Sequence, residues 1–273
     1  MHDFKDRTAL ITAGATGIGF ACAKRIVAGG GRVMLCARRE QSLIAACEKL
    51  GSNAHYAVCD VTRPDEVRLA VTSAVDRFGG LHLAVNAAGL GNFGMIRDTP
   101  TKVFRENLEL NVIGTFHCLQ AEAQAMAKSG GGSIVNVSSE AGVLAHPGSS
   151  GYSVSKASLN MLTRSAADEF SEFGIRVNAV VPGLVKTEMS ESLWMSTFAR
   201  KAFFDRMRIP RLGEPEEIAG LIAFLLSDEA SWMTGQLIGA DGGLTIGDGP
   251  DLRPLFKELR DAAAADQNNQ EAP

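Results

Sequence analysis

Short apolar runs rich in β-branched residues recur along the chain: TALITA (8–13), RVMLCA (32–37), AHYAVCDV (54–61), HLAVNAA (82–88), SIVNVSS (133–139), RVNAVVPG (176–183) and QLIGADGG (236–243). The segments between them are longer and space their apolar residues as helices do, most clearly over 64–78, 101–128, 152–173 and 215–227. Strand and helix in regular alternation predict a parallel sheet with helices on both faces. Near-continuous apolar strands suit a sheet buried on both sides. No internal repeat and no Pro/Ser-rich linker interrupts the pattern. It therefore predicts a single doubly wound α/β domain over residues 1–247, built on a seven-stranded parallel sheet. Two segments stand outside it. Residues 188–210 form an insertion after the sixth strand. Residues 248–273 follow the last strand and turn polar; a short helix is expected in LRPLFKELRDAAA and a disordered end beyond it.

Composition narrows the function classes. The chain of 273 residues is 45% apolar and 21% charged, ordinary for a globular protein. No apolar run reaches the roughly 18 residues of a membrane helix. The N-terminal MHDFKDRTAL has no apolar signal core. A cytoplasmic protein without membrane contact is expected. Net charge is -4, and residues 1–247 carry 24 basic against 25 acidic residues, which argues against a nucleic-acid binder. Cys22, Cys36, Cys47, Cys59 and Cys118 form no CxxC pair, and three of them lie in apolar runs. They read as small buried hydrophobes in a reducing compartment. The five histidines lack ligand spacing, so no metal site is predicted.

The first strand runs into TAGATGIGFACAKRI (12–26), where Gly14, Ala15, Thr16, Gly17, Ile18 and Gly19 lead into a helix. Glycines at such a turn let the backbone approach a pyrophosphate, and the helix N-terminus offers free N–H groups to the anion. The spacing fits TGxxxGxG with Ala13 in place of the first glycine. An alanine there requires a negative φ.

Further motifs follow in order: CDVT (59–62), VNAAG (85–89), NVIGTF (111–116), IVNVSS (134–139), YSVSK (152–156), VVPGLVKT (180–187) and GADGG (239–243). Together they resemble the short-chain dehydrogenase/reductase family, in the branch that includes the 3-oxoacyl-carrier-protein reductases. The resemblance runs from about Asp6 to Gly247. It implies a Rossmann-type domain that moves a hydride between a nicotinamide dinucleotide and a carbonyl or secondary alcohol.

The residues at the end of the second strand, CARRE, bear on which dinucleotide is used. Ala37 stands where NAD users of the family carry Asp, and Arg38 and Arg39 follow. An acid there would accept from the ribose, whereas guanidinium suits a 2′-phosphate. NADP(H) is expected as the preferred cofactor, with NAD(H) as the alternative because Glu40 can pair with one arginine. The resemblance gives Asp60, expected to end the third strand, and Val61 to the adenine; a local capping role for Asp60 is compatible with this. It gives Asn86, Ala88 and Gly89 to the cofactor's sheet edge, Pro182 and Gly183 to the nicotinamide, and Val185 and Thr187 to its carboxamide.

Tyr152 and Lys156 are four apart, one helical turn from each other. A free phenol, with a pKa of about 10, is a poor acid–base group near neutrality. A nearby ammonium lowers it. By resemblance Lys156 also binds the nicotinamide ribose, Ser139 donates to the substrate carbonyl, and Asn111 holds a water joining Lys156 to solvent. The implied reduction delivers hydride to the carbonyl carbon while Tyr152 protonates its oxygen.

In the insertion, Met189, Leu193, Trp194, Met195, Phe198, Phe203, Phe204 and Met207 form an apolar stripe, with Trp194 and Phe198 expected on one helical face. The stripe fits a packed hairpin and a lid over a bulky apolar or acyl substrate equally well. Arg200, Lys201, Arg206, Arg208 and Arg211 read as a solvated basic face. The family implies a homotetramer or homodimer through the helices at 101–128 and 152–173. The competing readings are an NAD-dependent secondary-alcohol dehydrogenase and a dinucleotide-binding regulator without turnover.

Overall fold

The seven apolar runs are strands: β1 (Thr8–Thr12), β2 (Arg32–Ala37), β3 (Ala54–Val58), β4 (Leu83–Asn86), β5 (Gly132–Val137), β6 (Ile175–Pro182) and β7 (Leu237–Ala240). This computed structural model describes residues 2–247 together with Leu252, Pro254 and residues 256–258. All strand pairs are parallel, in the order β3-β2-β1-β4-β5-β6-β7. Successive residues of a strand face opposite sides, so each side has its own core. Ile11, Leu35, Val85 and Val135 pack beneath α1 (Gly17–Ala28), α2 (Glu40–Leu50) and α9 (Pro215–Leu226). Their neighbours Leu10, Met34, Ala84 and Ile134 pack against α3 (Pro64–Phe78), α5 (Thr115–Lys128) and α6 (Ser150–Glu169).

The chain leaves β1 toward β2 and β3 on one side, then crosses back to place β4 on the other. That reversal opens a crevice at the carboxyl ends of the strands, where doubly wound sheets bind ligands. Among the described residues no helix is long and apolar enough to cross a membrane. All five cysteines are free, and four are buried.

Several local expectations change. The third strand ends at Val58, so Asp60 lies in the loop beyond it. There its Oδ1 accepts from the Thr62 amide at 3.0 Å and the Thr62 hydroxyl at 2.8 Å. These bonds close a turn rather than cap α3. The helix expected over 101–128 is three pieces: α4 (Thr101–Leu108), a π-helical turn (Glu109–Gly114) and α5. From the first residue of α5 the Thr115 hydroxyl donates back into the turn, to the Asn111 carbonyl at 3.0 Å. The insertion holds α7 (Glu191–Met195) and α8 (Thr197–Phe204), separated at Ser196, whose Oγ accepts from the Ala199 amide at 3.2 Å. Trp194 and Phe198 therefore do not share a face: Trp194 packs inward, while Phe198 is 85% exposed. The basic residues of this stretch are mostly engaged; Arg211, for example, forks onto Glu217 at 2.8 and 2.6 Å. Apart from five residues, the extension expected over 248–273, with its short helix and disordered end, lies outside the described residues.

Candidate active site

The carboxyl ends of the strands enclose a cleft of about 820 Å³. From the predicted set it is lined by Ala15, Thr16, Gly17, Ile18, Gly19, Arg38, Arg39, Asp60, Val61, Ala88, Gly89, Ser139, Tyr152, Lys156, Pro182, Gly183, Val185 and Thr187. Gly14, Asn86 and Asn111 sit behind its wall.

The glycine turn carries the chain from β1 into α1 as expected, with one correction. Gly17 has φ +53, and a Cβ on Gly19 would lie 2.5 Å from the Ala13 carbonyl oxygen. Ala13 does not keep a negative φ; it adopts +50. The chain must reverse from β1 into α1 within four residues, and the left-handed conformation at Ala13 makes that reversal at a cost of about 1–2 kcal/mol.

At one end of the cleft Ala37 closes β2 and faces inward, so this position carries no acid. Arg38 lines the cleft and makes no side-chain hydrogen bond or ion pair among the described residues. Arg39 forks onto Glu188, at the start of the insertion, at 3.1 and 2.8 Å. Glu40 instead accepts from the Tyr56 hydroxyl at 3.2 Å. Burial works to raise the Asp60 carboxyl, but its bonds to Thr62 and the charges of Arg38 and Arg63 hold it below the usual carboxylate range.

At the other end Tyr152, Ser139 and Lys156 converge. Ser139 lies two residues beyond β5, and Tyr152 and Lys156 share the first turns of α6. The Lys156 ammonium donates to the Val137 carbonyl at 2.9 Å and lies 5.7 Å from the Tyr152 ring centre. Burial pushes the phenol up to about 12; a hydrogen bond with Ser139 pulls it back in part, and the charge of Glu140 adds to the rise. Burial brings Lys156 down to about 8. Desolvation is thus the largest influence on the phenol, the expected lowering by the lysine is not among its causes, and Tyr152 is held in the protonated form that can give a proton to an alkoxide. Asn111 clamps the loop over the cleft. Its Oδ1 accepts from the Leu90 amide at 2.7 Å, and its Nδ2 donates to the Leu90 carbonyl and to Ser155 Oγ, each at 2.8 Å.

Sequence reasoning passed over Glu140, Phe93 and Glu122. Glu140, directly after Ser139, is buried in the cleft wall, and its Oε2 is 3.1 Å from His146 Nε2. Its position beside Ser139 was the available signal. Phe93 meets the Tyr152 ring edge-on at 5.9 Å. Behind the cleft, Asn86 Nδ2 donates to Glu122 Oε2 at 3.0 Å and Asn136 Oδ1 at 3.1 Å. Asn86 Oδ1 and Glu122 Oε1 are buried without a partner among the described residues.

A family model described as enoyl-(acyl carrier protein) reductase matches residues 12–245. The human protein named dehydrogenase/reductase SDR family member 4 is 38% identical over 242 residues, 87% of this chain and 87% of its own length. The A-factor type γ-butyrolactone 1′-reductase (1S-forming) of Streptomyces virginiae is 40% identical over 249 residues, 88% of this chain and 96% of its own. A solved short-chain type dehydrogenase/reductase from Mycobacterium ulcerans superposes with a TM-score of 0.87 at 36% identity, covering 94% of this chain and 96% of that one.

Proposed function

We propose that this chain, which belongs to the short-chain dehydrogenase/reductase family and is an NAD(P)-dependent enzyme acting on CH–OH groups, transfers hydride between NADP(H) and a bulky apolar or acyl carbonyl or its secondary alcohol. One observation carries the assignment of roles: Tyr152, Ser139 and Lys156 face one cleft whose far end is the glycine turn. The dinucleotide supplies the hydride. Ser139 orients and polarises the carbonyl oxygen. Tyr152 gives that oxygen its proton. Lys156 binds the nicotinamide ribose, and Asn111 holds the loop and helix that frame these groups and supports proton resupply. Oxidation of the alcohol reverses the roles.

The cofactor residues are those of the glycine turn with Asp60, Val61, Asn86, Ala88, Gly89, Pro182, Gly183, Val185 and Thr187. The preference for NADP(H) rests on Arg38, a guanidinium at the cleft that makes no hydrogen bond or ion pair among the described residues, and on the absence of an acid at Ala37. Arg39 can join it by leaving Glu188. NAD(H) use remains the second reading, favoured by the Arg39–Glu188 pair already formed. Residues 1–247 act as one domain, with 188–210 as the substrate lid: Leu193, Trp194, Phe203 and Phe204 pack on Leu184, Met207 and Leu244. Phe116, Val154 and Met161, exposed on α5 and α6, support a homotetramer or homodimer. Five free thiols support a reducing, cytoplasmic setting.

The test is nicotinamide absorbance during turnover of a carbonyl panel with NADPH and NADH. Tyr152→Phe should lower kcat by at least about a hundredfold while still binding cofactor. Equal rates in the two proteins would remove Tyr152 from the chemistry.

A further inference from the structure

Ser139 is followed at once by a carboxyl that the hydride chemistry does not use. Glu140 is 6% exposed and lines the cleft. His146 Nε2, at 3.1 Å, holds its Oε2. Its other oxygen, Oε1, has no hydrogen-bond partner among the described residues. It is also absent from the fully enclosed unpaired atoms, which are Thr8 Oγ1, Asn86 Oδ1 and Glu122 Oε1. A buried carboxyl oxygen that is unpaired yet reachable from a cleft is an acceptor awaiting a donor. His146 is itself braced: its ring stacks on Phe203 of α8 at 6.0 Å and 25°.

We propose that Glu140 is a specificity-determining residue whose Oε1 accepts a hydrogen bond from a hydroxyl carried beside the reacting carbon, so that the preferred substrates are hydroxyketones and the corresponding diols. His146 is the positioning residue that fixes the carboxyl. A hydroxyl suits the site better than an ammonium, because the His146 imidazole already engages the carboxyl at 3.1 Å. Glu140 and Tyr152 line the same cleft, and the charge of Glu140 acts on the phenol. The inference rests on the Tyr152-centred reading and names the substrate class for that same cleft.

The experiment compares kcat/KM for hydroxyketones and their O-methyl ethers, which keep the inductive effect and lose the donor. The pairs are 3-hydroxy- against 3-methoxy-2-butanone and 2-hydroxy- against 2-methoxyacetophenone. The natural chain should favour the hydroxyl compound by about tenfold or more. Glu140→Leu should bring the ratio to within about threefold of one, through loss on the hydroxyl compound. Glu140→Gln, close in shape, should lower it by severalfold and covers the case in which the leucine variant does not fold. His146→Leu should lower the ratio, and His146→Gln, which keeps a donor, should restore most of it. A ratio near one in the natural chain, a ratio unchanged in both Glu140 variants, or silence on every pair overturns the proposal. Tyr152→Phe is the separate control: activity retained there refutes the catalytic reading, whatever the ratios say about Glu140.

Discussion

Glu122 provides the sharpest test of the energetics beneath the site. It is fully buried on α5, and burial raises its carboxyl from 4.5 to about 8, with the Asn86 hydrogen bond working in the opposite direction. The facing groups include the thiols of Cys36 and Cys118, themselves kept protonated by burial. A neutral Glu122 explains the two unpartnered oxygens together. A proton on Oε1 can donate to Asn86 Oδ1 while Asn86 Nδ2 donates to Oε2, pairing acid and amide at two points. The raised pKa is a stability statement with a definite sign. The contribution is fully present below the unfolded pKa, near 4.5, and is lost as pH climbs through about 8. A shift of about 3.5 pH units corresponds to about 5 kcal/mol at 1.36 kcal/mol per unit. Unfolding free energy should therefore fall by about 1.4 kcal/mol per unit between about pH 5 and 8. Glu122→Gln retains both halves of the pairing and cannot ionise. The assay is urea unfolding of both proteins from pH 5 to 9 at one protein concentration. His82 and His146 titrate in both, so the difference between the curves isolates Glu122. The natural chain should lose ground steadily as pH rises; parallel curves would refute the buried neutral acid.

Other outcomes follow from the cleft. Arg38→Ala should weaken NADPH about ten- to a hundredfold and NADH far less, read as the two kcat/KM values; equal losses would move the phosphate site elsewhere. Because burial sets Lys156 near 8, its ammonium fraction falls above that pH. The Kd for NADPH should rise on the alkaline side of about pH 8, and Lys156→Met should remove that dependence in a fluorescence titration. Ala13→Gly should relieve the left-handed strain at the cost of extra chain entropy. The net gain of up to about 1 kcal/mol should appear as a small rise in Tm.

The seven parallel strands and the helices between them were legible because each apolar run is bounded by turn residues and alternates with a helical stripe. The pieces that went astray share a cause. The end of β3, the π-helical turn and the break at Ser196 are set by single side-chain-to-backbone bonds from Asp60, Thr115 and Ser196. Such bonds compete locally with regular structure without disturbing the periodicity around them. Ala13 is the converse case: its intrinsic preference was read correctly, and the tight reversal into α1 overrides it.

The charges at the site resisted sequence reasoning for a different reason. The spacing of Tyr152 and Lys156 fixes their neighbourhood on a helix, yet the largest influence on both is burial, which depends on the whole cleft closing over them. Arg39 finds its carboxylate 149 positions away at Glu188 rather than next door at Glu40. Asn86 meets Glu122 across 36 positions. Glu140 and His146 are close in sequence, but only the turn after β5 brings one oxygen of Glu140 to the histidine and leaves the other without a hydrogen-bond partner among the described residues. A motif therefore names the groups that do common chemistry. Substrate choice, pH response and cofactor choice depend also on pairings that the fold makes between segments, and on our proposal Glu140 is where such a pairing meets the substrate.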